Sequence, residues 1–191
     1  VNANEAPYFA DGSGKTDATE AILAAIAATP ENGTVKLAAG TYLINPPVSA
    51  SFSQPAACVS MTAALCTGRK RVTIVGAGRG KTVLLQGNRA EVAIWGSAIS
   101  LRDLTLSDAL RADCYNQTNG APLESCLNIT RRYDSPALWS MNTWGAFQFN
   151  VSDISFENVH FIATRAATGL HLRYCRRCSV QNCLIDGGAI E

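Results

Sequence analysis

The chain has 191 residues, 16 of them Lys or Arg and 15 Asp or Glu, so its formal net charge is +1 and only 16% of its residues are charged. That length fits one domain with room for a substantial core. The balance of charge gives no electrostatic case for nucleic acid or an anionic membrane as partner, and no apolar run approaches the roughly 20 residues that a spanning helix needs.

Seven cysteines are a high count, and sequons of the form Asn-x-Ser/Thr stand at Asn32, Asn116, Asn128 and Asn150. Together they indicate a secreted glycoprotein. The sequence opens at Val1 with neither a methionine nor a signal segment, which indicates a mature or trimmed product.

The first stretch with a motif is "ADGSGKTDATEAI", residues 10–22, whose Gly14-Lys15-Thr16 resembles the tail of a phosphate-binding loop; "GAGRGKT" at 76–82 repeats it. Such a loop needs a glycine at its head, where this chain has Phe9 and Val75. The dinucleotide fingerprint fails too, because Gly76 and Gly78 are followed by Lys81 where the third glycine belongs. Nucleotide binding is set aside.

Residues 17–29, "DATEAILAAIAAT", are predicted to form a helix. Asp17 is the expected N-cap and Glu20 completes a capping box. Ala21, Ile22, Ala25 and Ile26 share one face, and Pro30 with Asn32-Gly33 ends the helix.

Beyond the helix the pattern turns to short strands: "TVKLAAGTYLI", "RVTIVGAG", "TVLLQG", "VAIWG", "ISLRDLTLS", "GAFQFN", "DISFENVHFI", "GLHLRYC" and "CSVQNCLI". They repeat. Aligning 154–161 with 178–185, an offset of 24 residues, superposes Ser155 on Ser179, Phe156 on Val180, Asn158 on Asn182, Val159 on Cys183 and Phe161 on Ile185. Residues 99–106 fit the same template, with Asp103 at the asparagine position. Strands and tight turns at such a period indicate a solenoid whose rungs bury their apolar faces on one another. The in-register asparagines predict a ladder of stacked amides inside a turn.

The stretch "DGSGKTDATEAILAAIAATPENGTVKLAAGTYLI" resembles the start of the pectate-lyase-like superfamily of right-handed parallel β-helices, which open with an Asp-Gly turn, a capping helix and a Gly-Thr-Val strand. Asn32-Gly33 stands for the usual glycine pair and Ala38 for the usual proline. "VTIVGAGRGKTVL" resembles the next rung. The resemblance covers most of the chain except 107–144, and it implies a single all-β domain over 1–191: a right-handed parallel β-helix with its N-terminal capping helix at 17–29. It is specific for fold, because the superfamily holds lyases, glycoside hydrolases, epimerases, tailspikes and non-catalytic modules.

In polysaccharide-active relatives the substrate lies along the first of three sheets. The resemblance makes "VAIWG", "AFQFN", "GLHLRY" and "AIE" the first-sheet strands here. Alternation turns Phe147, Phe149, Leu170, Leu172 and Ile190 inward and leaves Trp95, Gln148, Asn150, His171, Arg173 and Glu191 outward. Such a row is either a polar surface or a sugar groove. As a groove, Trp95, Gln148 and Glu191 form a glycan-binding face and His171 with Arg173 are the catalytic pair, binding a uronate carboxylate or taking its α-proton. The aspartates that hold Ca²⁺ in lyases of this family, and the paired carboxylates of its hydrolases, are missing from the row. No metal ligands and no cofactor are assigned, calcium being implied by resemblance only. A glycan on Asn150 would sit on the groove itself.

Residues 107–144 form an inserted loop, with a disulfide expected between Cys114 and Cys126, and a second between Cys58 and Cys66. Trp139 and Trp144 either line a binding surface or pin this loop. "CRRC" at 175–178 lacks the partners of a zinc or redox site. The repeat makes Cys178 and Cys183 small core residues, with Cys175 at a turn.

"DGGAIE" stops at the start of a new first-sheet strand, with no C-terminal cap visible. An uncapped end exposes backbone and apolar surface. Two functions follow as expectations: a secreted lyase-like or hydrolase-like β-helix that acts on an extracellular polysaccharide, or a non-catalytic structural or adhesive β-helix that self-associates head to tail into a filament through that end.

Overall fold

The structure, a computed structural model, describes residues 1–44, 63–65, 71–86, 91–94, 99–107, 138–140, 151–162, 168–172, 175–186 and 189–190. Cys58, Cys66, Cys114, Cys126, Asn116, Asn128, Asn150, Trp95, Gln148, Arg173, Glu191 and Trp144 lie outside them.

Among the described residues every paired strand runs parallel to its neighbour. The chain enters as β1 (Ser13–Asp17), turns into helix α1 (Thr19–Ala28), and continues as β2 (Gly33–Lys36) and β3 (Gly40–Ile44). After β4 (Ala63–Leu65) come β5 (Val72–Val75), β6 (Thr82–Gln86), β7 (Glu91–Ile94), β8 (Ser100–Ser107) and β9 (Leu138–Ser140). The later strands are β10 (Val151–Ser152), β11 (Ser155–Ile162), β12 (Thr168–Leu172), β13 (Cys175–Arg176), β14 (Ser179–Gln181), β15 (Leu184–Asp186) and β16 (Ala189–Ile190).

Nine strands are connected in one hydrogen-bonded sheet, but they form two ladders that share β8 and β11. One ladder is β2, β5, the front of β8, the front of β11 and β14; the other is β1, β3, β6, the back of β8, the back of β11 and β15. The fold line between them runs through Asp103, Asn158 and Asn182, with φ of 55°, 55° and 50°. Asn and Asp enter this left-handed region more readily than other side chains. Asn158 Nδ2 donates to Asp103 Oδ1 at 2.6 Å, and Asn182 Nδ2 to Asn158 Oδ1 at 3.4 Å. The expected ladder of stacked amides is present, with a carboxylate at its head.

A second set of left-handed corners lies five residues earlier in the chain, at Asp153 (φ 60°) and Arg177 (φ 52°). Arg177 is an unusual occupant of that region. Its guanidinium grips Asp153 with two bonds, Nε to Oδ1 at 2.6 Å and Nη2 to Oδ2 at 2.7 Å.

Inside the bend, apolar residues stack in register. Val35, Ile74, Leu101, Phe156 and Val180 make one row; Tyr42, Leu84, Leu106, Phe161 and Ile185 make another. Phe156 and Phe161 meet edge to face at 5.7 Å, a favoured aromatic geometry. The first four residues of each row are buried, whereas Val180 is 39% exposed and Ile185 half-buried. The 24-residue alignment is therefore the pairing register itself.

α1 buries Ile22, Ala25 and Ile26 in the same core. It begins two residues later than expected, because Asp17 pairs with Leu43 and Ala18 N donates to Leu43 O, which keeps the chain extended. The N-cap is Ala18, with no side-chain capping bond, while Asp17 Oδ1 still accepts from Thr19 N at 2.9 Å. Cys178 and Cys183 pack half-buried against the core; Cys183 is a free thiol and Cys178 is in a disulfide. Cys175, expected at a turn, opens β13.

Candidate functional site

The sheet expected to carry a site is the five-stranded one, in the order β4, β7, β9, β12, β16. Its register sets two rows. Leu65, Val92, Leu138, Leu170 and Ile190 stand opposite one another, all apolar. The next row is Ala93, Trp139 and His171. In that register Trp139 stands opposite both Ala93 and His171.

"AFQFN" (146–150), expected beside "GLHLRY", lies outside the described residues, and the described neighbour of β12 on that side is β9, from inside the segment expected to be a loop. Of the anticipated site residues, the structure describes His171 on β12 and Asn32 in the turn before β2. Asn32 is exposed at φ 61°, and its N–H donates to Arg71 O at 2.8 Å. Trp139 is His171's strand neighbour.

The two phosphate-loop look-alikes are closed by their own hydrogen bonds. Asp11 accepts from Ser13 N and Oγ and from Thr16 N and Oγ1 at 2.5–3.3 Å, so a carboxylate fills the position a phosphate would need. Those bonds, led by Thr16 and Ser13, hold the Asp11 carboxyl down at about 2. In the second stretch Gly76, Ala77, Gly78, Gly80, Lys81 and Thr82 all direct their N–H groups at Arg102 O, Thr82 Oγ1, Asp103 O, Thr105 Oγ1 and Gly78 O. The glycines are there for close approach: a Cβ on Gly76 would lie 2.4 Å from Asp103 O.

Other polar pairs tie rung to rung. The Arg177 guanidinium, first through its hydrogen bonds and with help from Ser152 Oγ, lowers Asp153 to about 2. Arg102 pairs with Glu157 at 3.0 Å, and His160 Nε2 lies 2.8 Å from Asp186 Oδ2 on the neighbouring strand. Ser100 and Ser155 share a short hydroxyl contact between facing strands. Each pair sits on the nine-stranded sheet or its corners, away from the row that contains His171. Among the described residues no three His, Cys, Asp or Glu come together as a metal site, and no helix is long and apolar enough to cross a membrane.

Against this geometry, residues 3–121 match the family described as rhamnogalacturonase A/epimerase, pectate lyase-like. No curated protein matches. Among solved structures, the chain is similar to the A-module of the mannuronan C-5 epimerase AlgE6 of Azotobacter vinelandii, with 19% identity and a TM-score of 0.55 over 98% of this chain and 50% of that one. The A-module of AlgE4 from the same organism gives 18% identity and 0.50, over 95% and 50%. A pectin methylesterase variant in complex with a hexasaccharide gives 14% and 0.52, over 97% and 48%. This chain thus spans about half the length of the solved structures it matches.

Proposed function

Because the chain belongs to the rhamnogalacturonase A/epimerase, pectate lyase-like family, we propose that it is the N-terminal part of a right-handed parallel β-helix, closed by α1, that acts on a uronate-containing extracellular polysaccharide along its five-stranded sheet. What supports the reading is the register that stands Ala93, Trp139 and His171 opposite one another on the five-stranded sheet. Its chemistry is removal of the proton α to the uronate carboxylate. His171 takes that proton, and Arg173 binds the carboxylate where negative charge accumulates. Re-protonation from the other side inverts the centre, whereas loss of the leaving oxygen breaks the chain; both share the first step. Calcium is implied by family resemblance alone, and no cation cluster is formed among the described residues, so no step is routed through it. Secretion, with glycans on Asn32, Asn116, Asn128 and Asn150, belongs to the same proposal.

The test is exchange of the α-proton in D₂O, followed by NMR on polymannuronate and polygalacturonate. His171→Ala is expected to slow exchange by at least about a hundredfold, the usual contribution of a positioned base. Exchange that survives His171→Ala and Arg173→Ala together removes the site. No activity on any acidic or neutral glycan favours a second reading, a structural subunit that self-associates. That reading is supported by Val180 and Leu184, 39% and 45% exposed on β14 and β15.

A further inference from the structure

In a stack of parallel strands each rung bonds to its immediate neighbours, so the last rung is held by one interface and opens first. One side chain departs from that rule. Arg79, in the turn between β5 and β6, donates from Nη1 to Asn182 O at 3.3 Å, across 103 residues of sequence. The turn belongs to the rung of β5 and β6, whereas Asn182 joins β14 to β15, beyond both β8 and β11.

The backbone of the turn accounts for that reach, because it does not stay on its own rung. Gly76 N donates to Arg102 O at 3.0 Å, Gly78 N to Asp103 O at 2.8 Å and Gly80 N to Thr105 Oγ1 at 2.9 Å, which seats the turn on β8. Gly78 and Gly80, on either side of Arg79, have φ of 137° and 71°, a backbone open to glycine and strained for other residues. Neighbouring strands lie about 4.8 Å apart, so β15 is roughly 10 Å from β8 with β11 between them, and a long side chain is needed to cross it. The two ends of the crossing are equivalent corners. Asp103 and Asn182 turn in the left-handed region at the two ends of the amide ladder, with φ of 55° and 50°. The same turn supplies a donor to both carbonyls, Gly78 N to Asp103 O and Arg79 Nη1 to Asn182 O. A guanidinium has five N–H donors, so one bond to a carbonyl leaves the rest for water, and Arg79 stays exposed.

We propose that the turn at 76–81 is a strap across the corner column, with Arg79 as its free end, and that it holds the last rung shut beyond what pairing with β11 provides. β16 follows β15 in the chain and pairs with β12, the strand of His171, so the strapped rung also forms an edge of the five-stranded sheet. The proposal goes beyond the glycan reading and does not rest on it.

Amide hydrogen exchange at low protein concentration decides it, on the parent, Arg79→Ala and Lys81→Ala. Lys81 is an exposed cation of the same turn and serves as the control for charge. Arg79→Ala is expected to speed exchange in β14 and β15 about tenfold, in the range of one net hydrogen bond, and to leave β8 and β11 at the parent's rates. Lys81→Ala is expected to match the parent throughout. Unchanged exchange of β14 and β15 in Arg79→Ala overturns the strap. So does an equal acceleration in Lys81→Ala, which would assign the effect to the charge of the turn, or an equal acceleration of all four strands in Arg79→Ala, which would assign it to the stack as a whole.

Discussion

Asp11 converts a glycine-rich stretch into a fixed turn by accepting from two hydroxyls and two backbone N–H groups, and the chemistry of that turn is readable from one titration. Its carboxyl is held at about 2 against an ordinary 3.8, because Thr16 and Ser13 donate to the ionised form. A depressed folded-state value stabilises the fold above the unfolded value, and the contribution fades as pH falls through the folded one. Asp11→Asn should therefore melt below the parent at pH 7, and the gap should close as pH falls from 3.8 towards about 2. A gap that is constant with pH would mean that the turn needs shape rather than charge. Asp153, also held at about 2 by Arg177, titrates in both proteins and drops out of the difference. The residue scale also shows what a sequence conceals. The Asn158 and Asn182 ladder was legible because the chemistry of the left-handed turn favours asparagine. Arg177 was not, since arginine carries no such preference; its only signal is that Asp153 and Arg177 stand at the same offset of 24 as the asparagines.

At the scale of the element, register was legible wherever both partners had a fixed side-chain pattern. Phe156 against Val180 and Phe161 against Ile185 followed from the repeat alone, since a slip of one residue would turn every apolar side chain outward. It was not legible for β9, which lies in the segment expected to be a loop and is placed by its long-range pairing with β7 and β12. The helix start failed for a related reason: Asp17 satisfies the rules for an N-cap, but the long-range pairing of β1 with β3 outweighs a local preference. The strand-to-strand turn at Gly76 supplies the prediction at this scale. An added methyl would meet backbone oxygen of Asp103 at 2.4 Å and the Thr82 side chain at 2.7 Å, and neither is the free end of a flexible chain. Gly76→Ala must push β5 and β6 off β8 and lengthen the Gly76 N to Arg102 O bond of 3.0 Å. The expected cost is on the order of 2 kcal/mol, in the range of overpacked cores, measured by urea unfolding. A variant as stable as the parent would mean that the corner yields freely.

For the whole molecule, parallel strands stacked by nearest neighbours make stability a matter of position along the stack. β8 and β11 pair with each other along their full length and with further strands on their other edges, and they supply Leu101, Leu104, Leu106, Phe156, Val159 and Phe161 to the buried core. Among the described residues β14 and β15 pair only with β11, and they expose Val180 and Leu184. Local opening should start where the fewest apolar contacts must break. Amide hydrogen exchange at low protein concentration is therefore expected to be slowest in β8 and β11 and fastest, among these strands, in β14 and β15. Uniform protection across all four would mean that the stack opens only as one cooperative unit. Raising the protein concentration separates the two functions left standing by the fold. If chains associate through the exposed apolar residues of β14 and β15, protection there should rise with concentration while β8 and β11 stay unchanged, because association stabilises only the surface it covers. If protection is independent of concentration, these strands are free in solution, and the glycan reading, with His171 beside Trp139 on the other sheet, stands without a self-associating competitor.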